Sequence, residues 1–156
     1  MIITMQKQHT SEFMKLALNL AEQAFKEDEV PVGAVIIKDS KVIGSGFNQV
    51  ISKNSVTAHA EIIAINNAAK IIKNYRLTDC SIYVSLEPCH MCSKAIVDAR
   101  ISNLFFAARE PKTGSVISID NFLDADHLNH KVHYDYGDLE YESSELLKKF
   151  FKDKRT

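Results

Sequence analysis

Residues 80–92 read CSIYVSLEPCHMC, and the way this stretch divides decides the fold. Its first seven residues alternate, so Cys80, Ile82, Val84 and Leu86 share one face of a strand. From Cys89 onward the pattern changes to that of a helix running to about Ala99. The two cysteines at its start have the C-x-x-C spacing that either holds a metal or forms a redox pair. At positions i and i+3 of one helical turn their sulfurs face the same side. A helix N-terminus also carries partial positive charge, which favours thiolate over thiol.

Working upstream, the segment from Ala60 to about Ile72 is rich in Ile and Ala and reads as a buried helix. Thirteen helical residues travel roughly 20 Å, and a strand of about seven residues returns by roughly 23 Å. The chain therefore comes back to where it left, and His59 is expected beside Cys89 and Cys92. The meeting point lies at the carboxyl end of a strand, the usual place for ligands in an open α/β sheet.

The flanking segments supply the rest of the sheet. Phe13, Leu16, Ala17, Leu20 and Ala24 recur at helical spacing, so an amphipathic helix starts near Ser11 and ends near Lys26. GAVIIK and KVIGSGFN flank Asp39 and Ser40 and read as an antiparallel hairpin. LFFAA and KVHYDY give two further strands, and Leu139 to Lys154 a closing helix. Pro111 to Asn129 reads as a long loop with room for a short helical turn. This alternation favours a layered α/β sandwich.

Composition narrows the class. A chain of 156 residues, 46% of them hydrophobic, suits one domain with a genuine core. A formal charge of -1 excludes a wholesale basic surface, so any nucleic-acid contact must come from a local patch. Three cysteines are too few for a disulfide scaffold, and MIITMQKQHT lacks the apolar core of a signal peptide, so a cytoplasmic protein with reduced thiols is expected. Apolar runs such as AVII and LFFAA fall far short of the roughly 20 residues a membrane span needs.

One imidazole and two thiolates suit zinc in tetrahedral array, and a catalytic zinc keeps its fourth position for water. A structural site would be closed by a fourth protein ligand, for which Cys80 and His90 are the candidates. Cys80 sits at the far end of its strand, about 20 Å from Cys89 if extended, and reads as core packing. His90 lies about 100° around the helix from Cys89, and reads as a surface or groove-lining residue. Glu61 follows His59 by two positions, which diverge by about 200° in a regular helix; joint action requires His59 to sit at an irregular helix start.

The pair HAE and PCHMC, at residues 59–61 and 88–92, resembles the signature of zinc nucleoside deaminases. A broader set of segments, EVPVGAV, NYRLTD, YVSLEPCHMC, ARISNLFFAAREPKTG and the terminal LLKKFF, makes nearly the whole chain similar to bacterial tRNA-specific adenosine deaminases. That resemblance implies a cytidine-deaminase-like fold, a three-layer α/β/α sandwich around a mixed five-stranded sheet. It also implies conversion of adenosine to inosine at the wobble position of a tRNA anticodon stem-loop, one Zn2+ per subunit, and a homodimer. By the same resemblance His59, Cys89 and Cys92 match zinc ligands, Glu61 the proton shuttle, and Asn48 a base-contacting asparagine. Val32, Ala60 and Leu86 flank these motifs as substrate-pocket residues; strand hydrophobics are core by default, and Asn48 also suits a turn closing a strand.

For RNA, the resemblance implicates Arg109, Glu110 and Lys112 in REPKTG and Asn129 in LNHKV. From Lys148 to Arg155 five basic residues and Asp153 sum to +4. Phe151 and Lys152 lie among them, so phosphate attraction and base stacking join there. The same tail also reads as an amphipathic helix with Leu146, Leu147 and Phe150 inward and its lysines solvated. The chain departs from the family at Ser93 and Lys94, where a small alanine-glycine pair is common, at Glu110, where aspartate is usual, and at the glycine-poor SVIS. Rival readings are a zinc deaminase of a free base or nucleoside, a noncatalytic zinc-clipped RNA-binding module, and a thiol-disulfide oxidoreductase; the last leaves His59 and Glu61 unexplained.

Overall fold

The computed structural model describes residues 2–155, with side chains from residue 11 onward. Its elements are α1 (Ile2–Lys26), β1 (Gly33–Lys38), β2 (Lys41–Phe47), α2 (Ala60–Ile72), β3 (Ser81–Leu86), α3 (His90–Asp98), β4 (Asn103–Ala108), a 3-10 turn (Phe122–Asp124), β5 (His133–Tyr136) and α4 (Glu140–Arg155). The strands form one sheet in the order β2-β1-β3-β4-β5. β1 runs antiparallel to both β2 and β3, whereas β3, β4 and β5 are parallel. The expected mixed five-stranded sheet is thus present, with the long loop and its short helical turn between β4 and β5.

Period-two alternation sorts the strand residues into two layers of core. Ala34, Ile36, Ile82, Val84, Leu104 and Phe106 face α2 and α3, where Ala60, Ala64, Ala68, Ile96 and Val97 meet them. Val35, Ile37, Tyr83 and Ala107 face the other way, against Met14 and Ala17 of α1. α4 lies on that second side: Phe150 packs edge-on against Phe25 of α1, and Ser143 Oγ donates to the Ser85 carbonyl at 2.6 Å. Helices therefore cover both faces, completing three layers.

Local sequence explains the connections. Asp39 and Ser40 both adopt left-handed backbone, φ 49° and 62°, which suits the right-handed twist of a two-residue hairpin. α2 lies close against β2 because Gly44 and Gly46 have no side chains in the way: a Cβ on Gly46 would come within 2.7 Å of the Ala60 carbonyl oxygen. α1 extends back to Ile2, further than the apolar spacing from Phe13 indicated, because backbone hydrogen bonding continues a helix beyond its buried stripe.

Candidate metal centre and active-site cavity

His59 is the N-cap of α2 and has extended backbone, φ -77° and ψ 152°. This is the irregular helix start that joint action with Glu61 requires. Its side chain makes no capping bond; Asn48, at the end of β2, does the capping, its Oδ1 accepting from Ala60 N–H at 2.8 Å. Cys89 is likewise the extended N-cap of α3, and Cys92 lies in the first turn, fully buried. Two helices starting beside the same strand end thus present three donor atoms to one point.

His59 Nδ1 lies 3.5 Å from Cys92 Sγ and 3.7 Å from Cys89 Sγ, and all three donor atoms fall within 4.8 Å of one another. A tetrahedral zinc with Zn–S of about 2.3 Å and Zn–N of about 2.0–2.1 Å separates N and S by about 3.6 Å. Both N–S separations match such an ion. Among the described residues no fourth histidine, cysteine or carboxylate joins the cluster. His90 is exposed and pairs with Asp120 at 2.6 Å, and Cys80 is buried in the apolar core, so neither rival ligand reaches the centre.

The electrostatics follow from shared protons. Cys89 is lowered to about 4, first by a hydrogen bond from Cys92 and then by His59. Cys92 is raised correspondingly, because its S–H donates to the Cys89 sulfur and because it is buried. The His59 imidazole is raised by its hydrogen bond to Cys89. Glu61, only 4% exposed, is raised to about 7, chiefly by burial. A carboxyl group poised near neutrality beside a triad that could hold a metal ion can both take and return a proton.

The triad opens into a cavity of about 310 Å³. Val32, Asn48, Leu86 and Glu110 line it together with His59, Glu61 and Cys89. Ala60 contributes backbone behind Asn48 rather than lining. Arg109 and Phe151 line an adjoining depression that shares Leu86 and Glu110 with the cavity, and Arg109 pairs with Glu140 at 3.1 Å. Lys112 and Lys152 are exposed on the 110–118 segment and α4 respectively, and Asn129 lines a separate hollow beside Asp124 and Lys131. Leu146 and Leu147 are half-buried and Phe150 buried, as the amphipathic reading of the tail has it, while Phe151 is 45% exposed.

Two buried carboxylates on the cavity wall escaped the sequence reading. Glu29 accepts from the N–H groups of Ile51 and Ser52 at 3.1 and 2.8 Å, fixing the turn after Asn48. Glu87 accepts from the backbone of Glu110, Val116, Ile117 and Ser118 and from the Ser118 hydroxyl. Burial alone raises the Glu87 carboxyl, but these donors outweigh it and lower it overall. The signal was present in part: a glutamate wedged between an apolar strand and a helix start has nowhere to reach solvent.

Comparison with known proteins places the site in a wider group. The model of the MafB19-like deaminase family matches residues 8–155. The tRNA-specific adenosine deaminase of Aquifex aeolicus is 46% identical over 90% of this chain and 92% of its own. That of Buchnera aphidicola subsp. Schizaphis graminum is 42% identical over 97% and 99%. Among solved structures, a protein from a study of A-to-I editing by tRNA:A34 deaminases at the wobble position superposes with a TM-score of 0.85. It is 43% identical, with 87% of this chain and 99% of that one covered. A guanine deaminase from Nitrosomonas europaea, 23% identical with a TM-score of 0.76 over 90% and 83%, shares the fold.

Proposed function

The chain belongs to the MafB19-like deaminases and to the tRNA-specific adenosine deaminases, and from that premise we propose that residues 1–156 form a single deaminase domain acting on the wobble adenosine of a tRNA anticodon. The reaction is hydrolytic: water adds at C6 of adenine, ammonia leaves, and inosine remains. The observation that carries the reading is the convergence of His59, Cys89 and Cys92 beside the buried Glu61 on one cavity.

In this reading His59 Nδ1 and the two sulfurs hold zinc, whose chemistry when bound is to bring the pKa of a water molecule down to about 7. Glu61 carries the protons. Its carboxylate takes one proton from the attacking water and passes it to the ring nitrogen N1, then takes the second from the new C6 hydroxyl and passes it to the amino group, which leaves as ammonia. A carboxyl raised to about 7 by burial is suited to both halves of that task. Asn48 orients the base: its Oδ1 is occupied by Ala60 N–H, which leaves the amide Nδ2 to donate toward a ring acceptor. Val32 and Leu86 supply apolar cavity wall, and Ala60 acts through its backbone N–H, which holds Asn48 in place.

The RNA outside the target base follows the adjoining depression, with Arg109, Glu110 and Lys112 from one side and Phe151 and Lys152 from α4. Asn129 belongs to the same RNA-binding set by resemblance. Exposed Phe151 offers a stacking surface, and the α4 lysines offer phosphate contacts. An anticodon loop suits such a site because its bases can be splayed out without breaking a duplex. The enzyme acts as a cytoplasmic homodimer, and no helix among the described residues is long and apolar enough to cross a membrane.

Deamination of an anticodon stem-loop, of bulk tRNA and of free adenosine, read as inosine, and of free guanine, read as xanthine, tests the assignment. Turnover is expected on the RNAs, with free adenosine reacting far more poorly and guanine not serving as substrate. Glu61→Ala is expected to keep one equivalent of zinc while losing at least about a thousandfold in kcat; turnover within tenfold of the parent would remove Glu61 from the mechanism.

A further inference from the structure

Glu87 sits between β3 and the cysteine-bearing turn, 3% exposed, yet among the described residues no basic side chain forms a salt bridge with it. Its partners are the donors of one segment. Oε2 accepts from the N–H groups of Val116, Ile117 and Ser118 at 3.0, 2.8 and 3.0 Å. Oε1 accepts from Glu110 N–H at 3.0 Å and from the Ser118 hydroxyl. The segment wraps so tightly that a Cβ on Gly114 would come within 2.4 Å of the Glu87 carboxyl carbon.

A second tie holds the same segment. Ser93, the residue after Cys92, shares a 2.8 Å hydrogen bond with Ser115, both side chains fully buried. Ser115 Oγ also donates to the Pro88 carbonyl at 3.3 Å. The serine that replaces the family's usual small residue thus finds its partner in the glycine-poor SVIS. Residues 110–118 are therefore fastened at both ends of the Glu87–Ser93 stretch, and they contribute Glu110 and Thr113 to the cavity wall.

We infer that Glu87 is a positioning residue that holds segment 110–118 as the substrate-side wall of the cavity, so that it sets how well the anticodon loop is bound rather than how fast the bound base reacts. The inference rests on the function proposed above. The reacting groups are carried elsewhere, His59 and Glu61 on α2 and the cysteines on α3, whereas the wall depends on the carboxylate. Both oxygens must accept, so glutamine, with one oxygen replaced by NH2, opposes at least one N–H donor in either orientation. Aspartate keeps the charge but is a methylene short.

Glu87→Gln is expected to raise KM for an anticodon stem-loop about tenfold, equivalent to about 1.4 kcal/mol, with kcat changed less than about threefold and zinc retained. Glu87→Asp should fall between. Amide hydrogen exchange gives a readout independent of substrate: Glu110, Val116, Ile117 and Ser118 should lose protection in Glu87→Gln while α2 and α3 keep theirs. If exchange at these four amides and KM both stay at parental values, or if zinc is lost and kcat falls with it, the positioning role is wrong. A parent enzyme inactive on the stem-loop would sink the proposed function instead, leaving exchange to decide Glu87. Should Glu87→Gln not fold, Ser93→Ala loosens the same segment and must shift exchange and KM in the same direction; no shift in either overturns the inference.

Discussion

Asn48 shows how one side chain can serve the fold and the chemistry together. Its Oδ1 satisfies the Ala60 N–H at the start of α2, next in the chain to His59, the proposed imidazole ligand, and Asn48 borders the cavity. The two duties separate by substitution. Asn48→Ala leaves a buried helix-start donor without its acceptor, at a cost of about 1–3 kcal/mol, and removes the proposed base contact. Asn48→Asp keeps an acceptor for Ala60, and a carboxylate near a helix N-terminus is favourable, but it lacks the Nδ2 donor. Thermal unfolding should therefore fall for alanine and stay near the parent for aspartate, while deamination falls for both. Equal destabilisation by the two would assign Asn48 to the fold by another route, and parental activity in Asn48→Asp would remove it from base recognition. The sequence reading weighed a turn residue against a base contact; the structure puts Asn48 at the end of β2 in a capping role that serves the first and leaves room for the second.

At the scale of elements, much of the architecture was legible because it is periodic. The alternation in Ser81–Leu86 and the Ile/Ala face of Ala60–Ile72 fix a helix and a strand of matched length, and that match returns the chain to His59. What periodicity does not encode is how Glu29 and Glu87 are used. Their partners are backbone N–H groups in irregular segments, 22 to 31 positions away, and no side-chain pattern announces those. The approach of α2 to β2 lies between these cases: GSG at residues 44–46 signals a close neighbour, though not which one. Gly46→Ala brings a Cβ to 2.7 Å from the Ala60 carbonyl and 2.8 Å from the Ile63 side chain, so the first turn of α2 must shift. Overpacking of this kind costs about 1–3 kcal/mol. Because the displaced turn carries His59 and Glu61, zinc affinity should weaken as well; a variant of parental melting temperature and parental zinc affinity would show that the two layers yield more easily than the contact distances require.

For the molecule as a whole, the same convergence would link the proposed zinc to folding. The ligands come from the starts of two helices on one face of the sheet, with 30 positions between His59 and Cys89, and an unfolded chain does not hold them together. Zinc that binds the folded state and not the unfolded one stabilises by about 2.7 kcal/mol when present at a hundredfold its dissociation constant. For a domain of this size that corresponds to a melting shift of about 5–10 °C. Chelation should lower the melting temperature by about that amount, and restoring zinc should recover it. Cys89→Ala removes one ligand from the half-buried N-cap position, where little packing is lost, so it should start near the chelated value and respond little to chelator. Calorimetry with and without chelator on the two proteins distinguishes this from a general effect of the reagent: an equal drop in both would mean that the His59, Cys89 and Cys92 cluster is not where the metal acts.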